Sequence, residues 1–199
     1  MSQVLHALRC VGTTGLTRVA AFTGLPESDV ESELIDLAVA GLVTHHRDFG
    51  GWALTEPGKA ADAERTTAEL DAAGGPTALA GPFKDFLVLN PELLDLCTAW
   101  QVRTVNGTTT INDHTDTAYD QRVLGLFTDF HHRAVAVIAG LAAVVPRFGR
   151  YESRLADALA RAKAGELDYL ADNMASFHTV WAELHEDLLA TQGISRWHG

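Results

Sequence analysis

The fold is decided by the stretch A-G-L-V-T-H-H-R-D-F-G-G-W-A-L-T-E-P-G-K-A, residues 40–60. The runs Leu42 to Arg47 and Trp52 to Thr55 have strand-like composition, and they flank Asp48-Phe49-Gly50-Gly51. Two short strand-like runs around a glycine turn predict a β-hairpin. Thr55-Glu56-Pro57-Gly58 then predicts the start of a helix, because proline is favoured in the first helical turn.

Three short helices are predicted before the hairpin. Val4, Leu5 and Leu8 mark the first, and Leu16 to Phe22 the second. Gly24-Leu25-Pro26 predicts a tight turn, and Ser28 with Glu31 three residues later forms a capping-box pattern for the third helix.

This order of helix, helix-turn-helix, hairpin and helix resembles the winged helix-turn-helix domain of MarR-type bacterial regulators. Residues 40–60 match the recurring "GLV, wing, LTxxG" pattern of that family, and the resemblance covers about residues 3 to 72. It implies a transcriptional regulator that binds double-stranded operator DNA as a homodimer, with its third helix in the major groove.

The residues expected to contact DNA come from the second and third helices and the hairpin: Arg18, Ser28, Asp29, Ser32, Glu33, His45, His46 and Arg47. Their charge works against this function, because Asp29, Glu33 and Asp36 all fall on the outward side of the third helix. Residues 1–73 carry five basic and eleven acidic side chains, a net charge of 5 − 11 = −6. DNA binding and a winged domain used for protein contact therefore both stay open.

A domain boundary is predicted at Ala72-Ala73-Gly74-Gly75-Pro76, giving a winged domain at 1–73 and a helical domain at 77–199. In the second domain a helix over 83–89 is expected to stop at Asn90-Pro91, followed by another over 93–101, a polar loop over 103–116, and helices over about 118–145, 151–164 and 167–191. The fold class predicted is mainly α, with an all-helical C-terminal domain.

The motifs F-L-V-L-N-P-E-L-L-D-L-C-T-A-W-Q, N-D-H-T-D-T-A-Y-D and F-H-T-V-W-A-E-L-H-E-D-L-L lie in this second domain. They resemble a bacterial family of winged-helix proteins, described as MarR-like regulators, with an uncharacterised helical C-terminal domain. The resemblance spans nearly the whole chain and implies a ligand-sensing or dimerisation role for residues 77–199.

His178, Trp181 and His185 recur on one side of the last predicted helix, which places two imidazoles and an indole toward the helical core or a crevice. The residues expected to bind a small-molecule effector are Trp100, Gln101, Asn112, His114, His131, His178, Trp181 and His185. A packed core with satisfied histidines is the alternative.

No catalytic residue, metal site or cofactor is predicted. Nucleophile motifs, phosphate loops and HExxH are absent from the sequence. Cys97 is expected to be inert packing. Two alternatives stay open. One is a metal site made from His114, Asp116 and His185 or Glu186. The other, which is the least favoured interpretation, is an enzyme that uses the crevice predicted beside His178 and His185.

The overall charge of −11, with a pI near 5.1, argues against nonspecific attraction to nucleic acid or to an anionic membrane. Cys10 and Cys97 lack a CxxC spacing, and no signal segment or membrane-spanning run is apparent. These features predict a cytoplasmic protein that does not enter membranes.

Overall fold

The computed structural model describes residues 3–46, 50–105 and 107–194. The structure is mainly helical, with 73% helix and two small two-stranded sheets, which confirms the mainly α prediction. It divides into two compact units. The first unit comprises Met1–Ala72 together with His185–Gly199, and the second unit comprises Ala73–Leu184.

The first unit contains the predicted three helices, hairpin and helix in the predicted order. These elements are α1 (Gln3–Val11), α2 (Leu16–Thr23), α3 (Glu27–Val39), β1 (Val43–His46), β2 (Gly51–Leu54) and α4 (Glu56–Ala72). The strands β1 and β2 are antiparallel, with Val43 opposite Leu54. The core is formed by apolar residues from the three helices and the first strand: Val4, Leu5, Leu8, Val19, Phe22, Val30, Leu34 and Val43.

The connection between α2 and α3 is a three-residue turn. Gly24 has φ 75° and donates its backbone N–H to the carbonyl of Ala20, which ends α2. Glycine adopts this left-handed conformation without the steric cost that a Cβ would add. The turn therefore sends the chain directly from α2 into α3.

The segment before α2 extends the hairpin. Thr14 and Trp52 form an antiparallel bridge in which each backbone N–H donates to the other's carbonyl, at 3.0 and 2.7 Å. These two hydrogen bonds fix β2 against the connection between α1 and α2.

The capping box predicted at Ser28 is wrong. The helix begins at Glu27 after Pro26, without a side-chain cap, and Ser28 Oγ donates to Asp29 Oδ1 at 3.2 Å. Proline before the first turn sets the helix start, so Ser28 lies inside the helix instead of capping it.

Thr55 and Gly58 join the hairpin to α4. Thr55 Oγ1 donates to the Gly41 carbonyl at 2.7 Å and accepts from the Gly58 N–H at 3.1 Å. Gly58 is buried, and a Cβ at this position would lie 1.9 Å from the Leu42 carbonyl oxygen. The glycine of the "LTxxG" pattern is therefore required by close approach of two backbones.

The second unit is built on two long helices, α5 (Pro76–Gln101) and α6 (Thr117–Val144), which pack against each other. In the sequence, β3 (Val102–Val105) and β4 (Thr108–Ile111) connect α5 to α6, and α7 (Arg150–Lys163) follows α6. The last helix, α8 (Phe177–Thr191), supplies residues to both units, because its residues from His185 onward group with the first unit.

The predicted helix break at Asn90-Pro91 is wrong. Residues 76–101 form one helix with Pro82 and Pro91 inside it. An interior proline costs about 3 kcal/mol. The buried face of this helix includes Phe86, Leu93 and Trp100, and burying such side chains contributes about 1.5–3 kcal/mol each, which offsets that cost.

The expectation of an all-helical C-terminal domain also needs correction, because the predicted polar loop contains the β3–β4 hairpin. Its strands are rich in β-branched residues, Val-Arg-Thr-Val and Thr-Thr-Thr-Ile, around the sequence Asn106-Gly107. An Asn-Gly pair between such runs is a strong hairpin signal that the loop prediction overlooked.

The single helix predicted over 167–191 is wrong in its first part. Residues 167–169 form a short 3-10 helix, and α8 begins only at Phe177. Ser176 Oγ accepts from the Thr179 N–H at 3.2 Å, and Asn173 Oδ1 accepts from the Ala175 N–H at 2.9 Å. Polar side chains that bond to nearby backbone in this way favour turns and caps over continued helix.

Across the described ranges, none of the helices combines the length and apolar character that a bilayer crossing requires.

Candidate functional site

The outward face of α3 is acidic. Asp29, Ser32 and Asp36 are exposed, as is Ser28, while Glu33 is half-buried. The sequence of α3 contains neither Lys nor Arg. The residues predicted to meet base edges are therefore accessible, but this helix brings no positive charge with them.

Two large apolar side chains share that surface. Ile35 is 52% exposed and Val39 is 86% exposed. A groove of about 650 Å³ runs beside Ile35, lined by Leu16, Glu31, Ile35, His45, Gly50 and Trp52. Residues of α3 and of the β1–β2 hairpin both line this groove, so the two elements lie side by side. The predicted DNA contacts would need both elements to face the same duplex.

The structure describes three of the four residues predicted to bring positive charge to the DNA: Arg18, His45 and His46. His45 and His46 are exposed on β1, and the His45 ring meets the edge of Trp52 at a centroid distance of 4.8 Å. Arg18 is half-buried on α2. Arg47, with Asp48 and Phe49 of the predicted turn, lies outside the described residues.

A buried polar cluster, which the sequence analysis did not identify, lies in the first unit. His6 Nδ1 is 3.0 Å from Asp62 Oδ2, and His6 Nε2 is 2.9 Å from Asp187 Oδ1. Cys10 Sγ lies 3.5 Å from His6 Nε2. All four side chains are buried, and they come from α1, α4 and α8. We call these four residues the His6 cluster.

The charge state of His6 follows from this geometry. Both ring nitrogens face carboxylate oxygens, and both can donate only when the imidazole is protonated. Burial alone would lower the pKa of His6, but its interactions with Cys10, Asp187 and Asp62 outweigh burial and hold that pKa well above its ordinary value. Asp62 also forms an ion pair with Arg65. The cluster is therefore a buried imidazolium between two carboxylates.

A signal for part of the His6 cluster was present in the sequence. His6 and Cys10 are four residues apart on an otherwise apolar helix, so they share its buried face. No comparable sequence pattern marks Asp62 or Asp187, because their partner His6 is 56 and 181 positions away.

Three of the predicted effector-binding residues come together in the second unit. Asn112 Nδ2 donates to the Trp100 carbonyl at 3.0 Å and to Asp120 Oδ1 at 2.8 Å. His114, whose φ is 57°, places Nδ1 3.0 Å from Asp120 Oδ2 and its ring 4.6 Å from that of Trp100. Within the described chain the buried Trp100 Nε1 has no hydrogen-bond partner.

Trp181 belongs to a separate aromatic cluster. Its ring stacks on Phe86 at 4.7 Å and meets Phe130 edge-on at 5.1 Å. The Trp181 Nε1–H donates to Asn90 Oδ1 at 3.0 Å, and the side chain is 2% exposed. Trp181 is therefore a packed core residue with its polar atom satisfied.

The Asn90–Trp181 hydrogen bond gives a first testable prediction. Asn90→Ala should lower the free energy of unfolding by about 1–3 kcal/mol, because the buried indole N–H loses its acceptor. Urea denaturation followed by circular dichroism measures this loss. In a Trp181→Phe background, Asn90→Ala should cost much less. An equal cost in both backgrounds would show that the hydrogen bond is not the cause.

The remaining predicted effector residues are dispersed. His131 meets Phe177 at 6.0 Å, and burial lowers the pKa of His131. His178 is half-buried, and Gln101 is exposed and donates weakly to Asp172 at 3.4 Å. Burial also lowers the pKa of His185, which belongs to the first unit.

The carboxylates of Asp113 and Asp116 are held in ion pairs, and the Cys97 thiol is held in its protonated form. Arg103 donates to Asp113 at 2.9 Å and to Asp116 at 3.3 Å, so both carboxylates serve an ion pair. Burial raises the pKa of Cys97 to about 12. A thiol with such a pKa is almost entirely protonated at neutral pH and is a poor nucleophile.

No family model, curated protein or solved structure matches the chain.

Proposed function

We propose that this chain is a DNA-binding transcriptional regulator of the winged helix-turn-helix type, responsive to a small ligand held by its C-terminal helices. The arrangement of α2, its glycine turn, α3 and the hairpin carries the proposal. In helix-turn-helix proteins the second helix of this pair enters the major groove. In this proposal α3 is the helix that would enter the groove, with His45 and His46 of β1 beside it.

The DNA complex would be selective and sensitive to salt. Carboxylates at Asp29 and Asp36 can accept a hydrogen bond from the cytosine amino group, yet they are repelled by the phosphates on both sides of the groove. His45, His46 and Arg47 would supply the contacts to the DNA phosphate backbone. Nonspecific affinity should therefore be low.

The ligand-responsive part of the proposal rests on the second unit. The Trp100 ring is buried against the His114 ring, and its indole N–H has no hydrogen-bond partner within the described chain, so a bound molecule with a hydrogen-bond acceptor would satisfy it. In a homodimer, such a ligand would shift the population toward one spacing of the two winged units.

One observation favours a second candidate, a noncatalytic module that docks a protein. Ile35 and Val39 are exposed among the carboxylates of α3. Exposed apolar side chains rimmed by charge often mark a protein interface, and this charge fits a basic partner.

A charge-reversal experiment distinguishes the two candidates. Fluorescence anisotropy measures binding to the duplex upstream of the chain's own gene and to a scrambled duplex, each at two salt concentrations. Asp29→Lys/Asp36→Lys should raise affinity for both duplexes at least about tenfold and steepen the salt dependence by about two units, because two lysines would reach phosphates.

The matched control is Asp85→Lys/Asp95→Lys, which makes the same charge change at exposed positions of α5. This control should raise DNA affinity less, since it changes only the long-range electrostatic attraction between the chain and the duplex. If the two double variants bind equally, or if the natural chain binds neither duplex, α3 does not meet DNA and the docking module is the better account.

A further inference from the structure

Three potential metal ligands of the His6 cluster converge. His6 Nε2, Cys10 Sγ and an Asp187 carboxylate oxygen all lie within 4.8 Å of one another, and all three residues are buried. Nitrogen, sulfur and oxygen are the three donor atoms that zinc accepts in proteins. We infer that His6, Cys10 and Asp187 form a binding site for one zinc-like divalent transition-metal ion.

The distances are close to those of a tetrahedral site. Zinc bonds of about 2.3 Å to sulfur and about 2.0–2.1 Å to nitrogen or oxygen place N and S about 3.5 Å apart and N and O about 3.3 Å apart. The observed distances from His6 Nε2 are 3.5 Å to Cys10 Sγ and 2.9 Å to Asp187 Oδ1. On these two distances, metal entry requires the His6–Asp187 pair to open by about 0.4 Å, and all three donor atoms lie within 4.8 Å of one another.

The charges balance in both states of the site. Without metal, the charge of a protonated His6 offsets that of Asp187, and Arg65 offsets Asp62. When the ion binds, the Nε2 proton and the thiol proton leave to solvent, and the dication is neutralised by the Cys10 thiolate and the Asp187 carboxylate. A buried site without net charge avoids the large cost of an uncompensated ion.

The surrounding groups orient the ligands as metal sites require. Asp62 accepts from His6 Nδ1, which leaves Nε2 for the ion, and Arg65 pairs with Asp62. A carboxylate on the distal nitrogen of a histidine ligand fixes the ring and strengthens the metal bond. Thr191 Oγ1 lies 3.3 Å from Asp187 Oδ1 and donates to it.

Three protein ligands leave a fourth position for water. In zinc proteins this arrangement is that of catalytic sites, whereas structural sites have four protein ligands. Here all three ligands are buried, which keeps a substrate away, so the bound ion would tie α8 to α1 within the first unit. Metal binding would therefore stabilise the first unit without creating an exposed catalytic centre.

The test is a cobalt titration of the full, tag-free chain after chelator treatment. One Co²⁺ per chain should bind, giving the visible bands of tetrahedral cobalt and the near-ultraviolet charge-transfer band of a thiolate ligand. Zinc should displace it and, at about 100 times its Kd, raise the Tm by about 5–10 °C.

Cys10→Ser and Cys10→Ala should lose the thiolate band, while Cys97→Ser, the matched change at the other buried cysteine, should keep it. A His45→Ala/His46→Ala variant should also keep it, which excludes binding at the exposed histidines. No thiolate band in the unaltered chain, or a band that survives loss of Cys10, overturns the proposal. The first of these outcomes does not depend on whether any variant folds.

Discussion

Replacing Asp187 by alanine should lower the free energy of unfolding of the first unit by about 3 kcal/mol, measured with chelator present. His6 Nε2 donates to this carboxylate at 2.9 Å. Without Asp187 the buried imidazolium keeps only Asp62, whose charge Arg65 already offsets, so the cluster retains an excess buried positive charge. Urea denaturation followed by circular dichroism gives the loss. Hydrogen-exchange mass spectrometry should assign the loss to peptides of α1 and α4.

Two control variants test whether the buried ion pair causes this loss of stability. Asp71→Ala removes an exposed carboxylate from α4 and should change stability by less than about 0.5 kcal/mol. His6→Leu/Asp187→Leu should recover part of the loss, because neither position then carries a charge and Asp62 still pairs with Arg65. A double variant as unstable as the sum of its single changes would show that the ion pair is not what couples these positions.

The second large effect is expected from Gly58→Ala. The added Cβ would lie 1.9 Å from the Leu42 carbonyl oxygen and 2.9 Å from its carbon. These are backbone atoms and cannot rotate away, so α4 and the start of the hairpin must separate. We expect a loss of at least about 3 kcal/mol, visible as a lower urea midpoint.

Gly81→Ala is the matched control, because Gly81 also lies within a helix but has open space where a Cβ would point. That change should stabilise the chain by up to about 1 kcal/mol, since alanine favours helix more than glycine does. If both changes destabilise equally, close approach at Gly58 is not the cause.

The helices and hairpin of residues 3–72 could be predicted from sequence because their signals are local, whereas the grouping of residues from His185 onward with the first unit was not predicted. The hairpin around residues 48–51, the turn at Gly24 and the periodic apolar residues of α1 each act within a few positions. The second unit was predicted less well. The continuation of α5 through Pro91 depends on packing of its buried face against other helices, and that packing has no local signature.

The candidate sites divide in the same way. The outward position of Asp29, Ser32 and Asp36 followed from helical periodicity, and the structure leaves these residues exposed. The His6 cluster joins residues that are 56 and 181 positions apart. One sequence offers no reason to pair Asp62 or Asp187 with His6 until the fold brings them together.

The contribution of α8 to the first unit bears on how the chain folds during synthesis. Asp187 emerges from the ribosome long after His6 and Asp62 have done so. Asp187 lies 187 − 62 = 125 positions after Asp62, and at about 5–20 residues per second translation from one to the other takes roughly 6–25 s. During that interval the nascent N-terminal segment lacks the side chain that completes its buried ion pair, so we expect the first unit to be completed only after α8 has been synthesised.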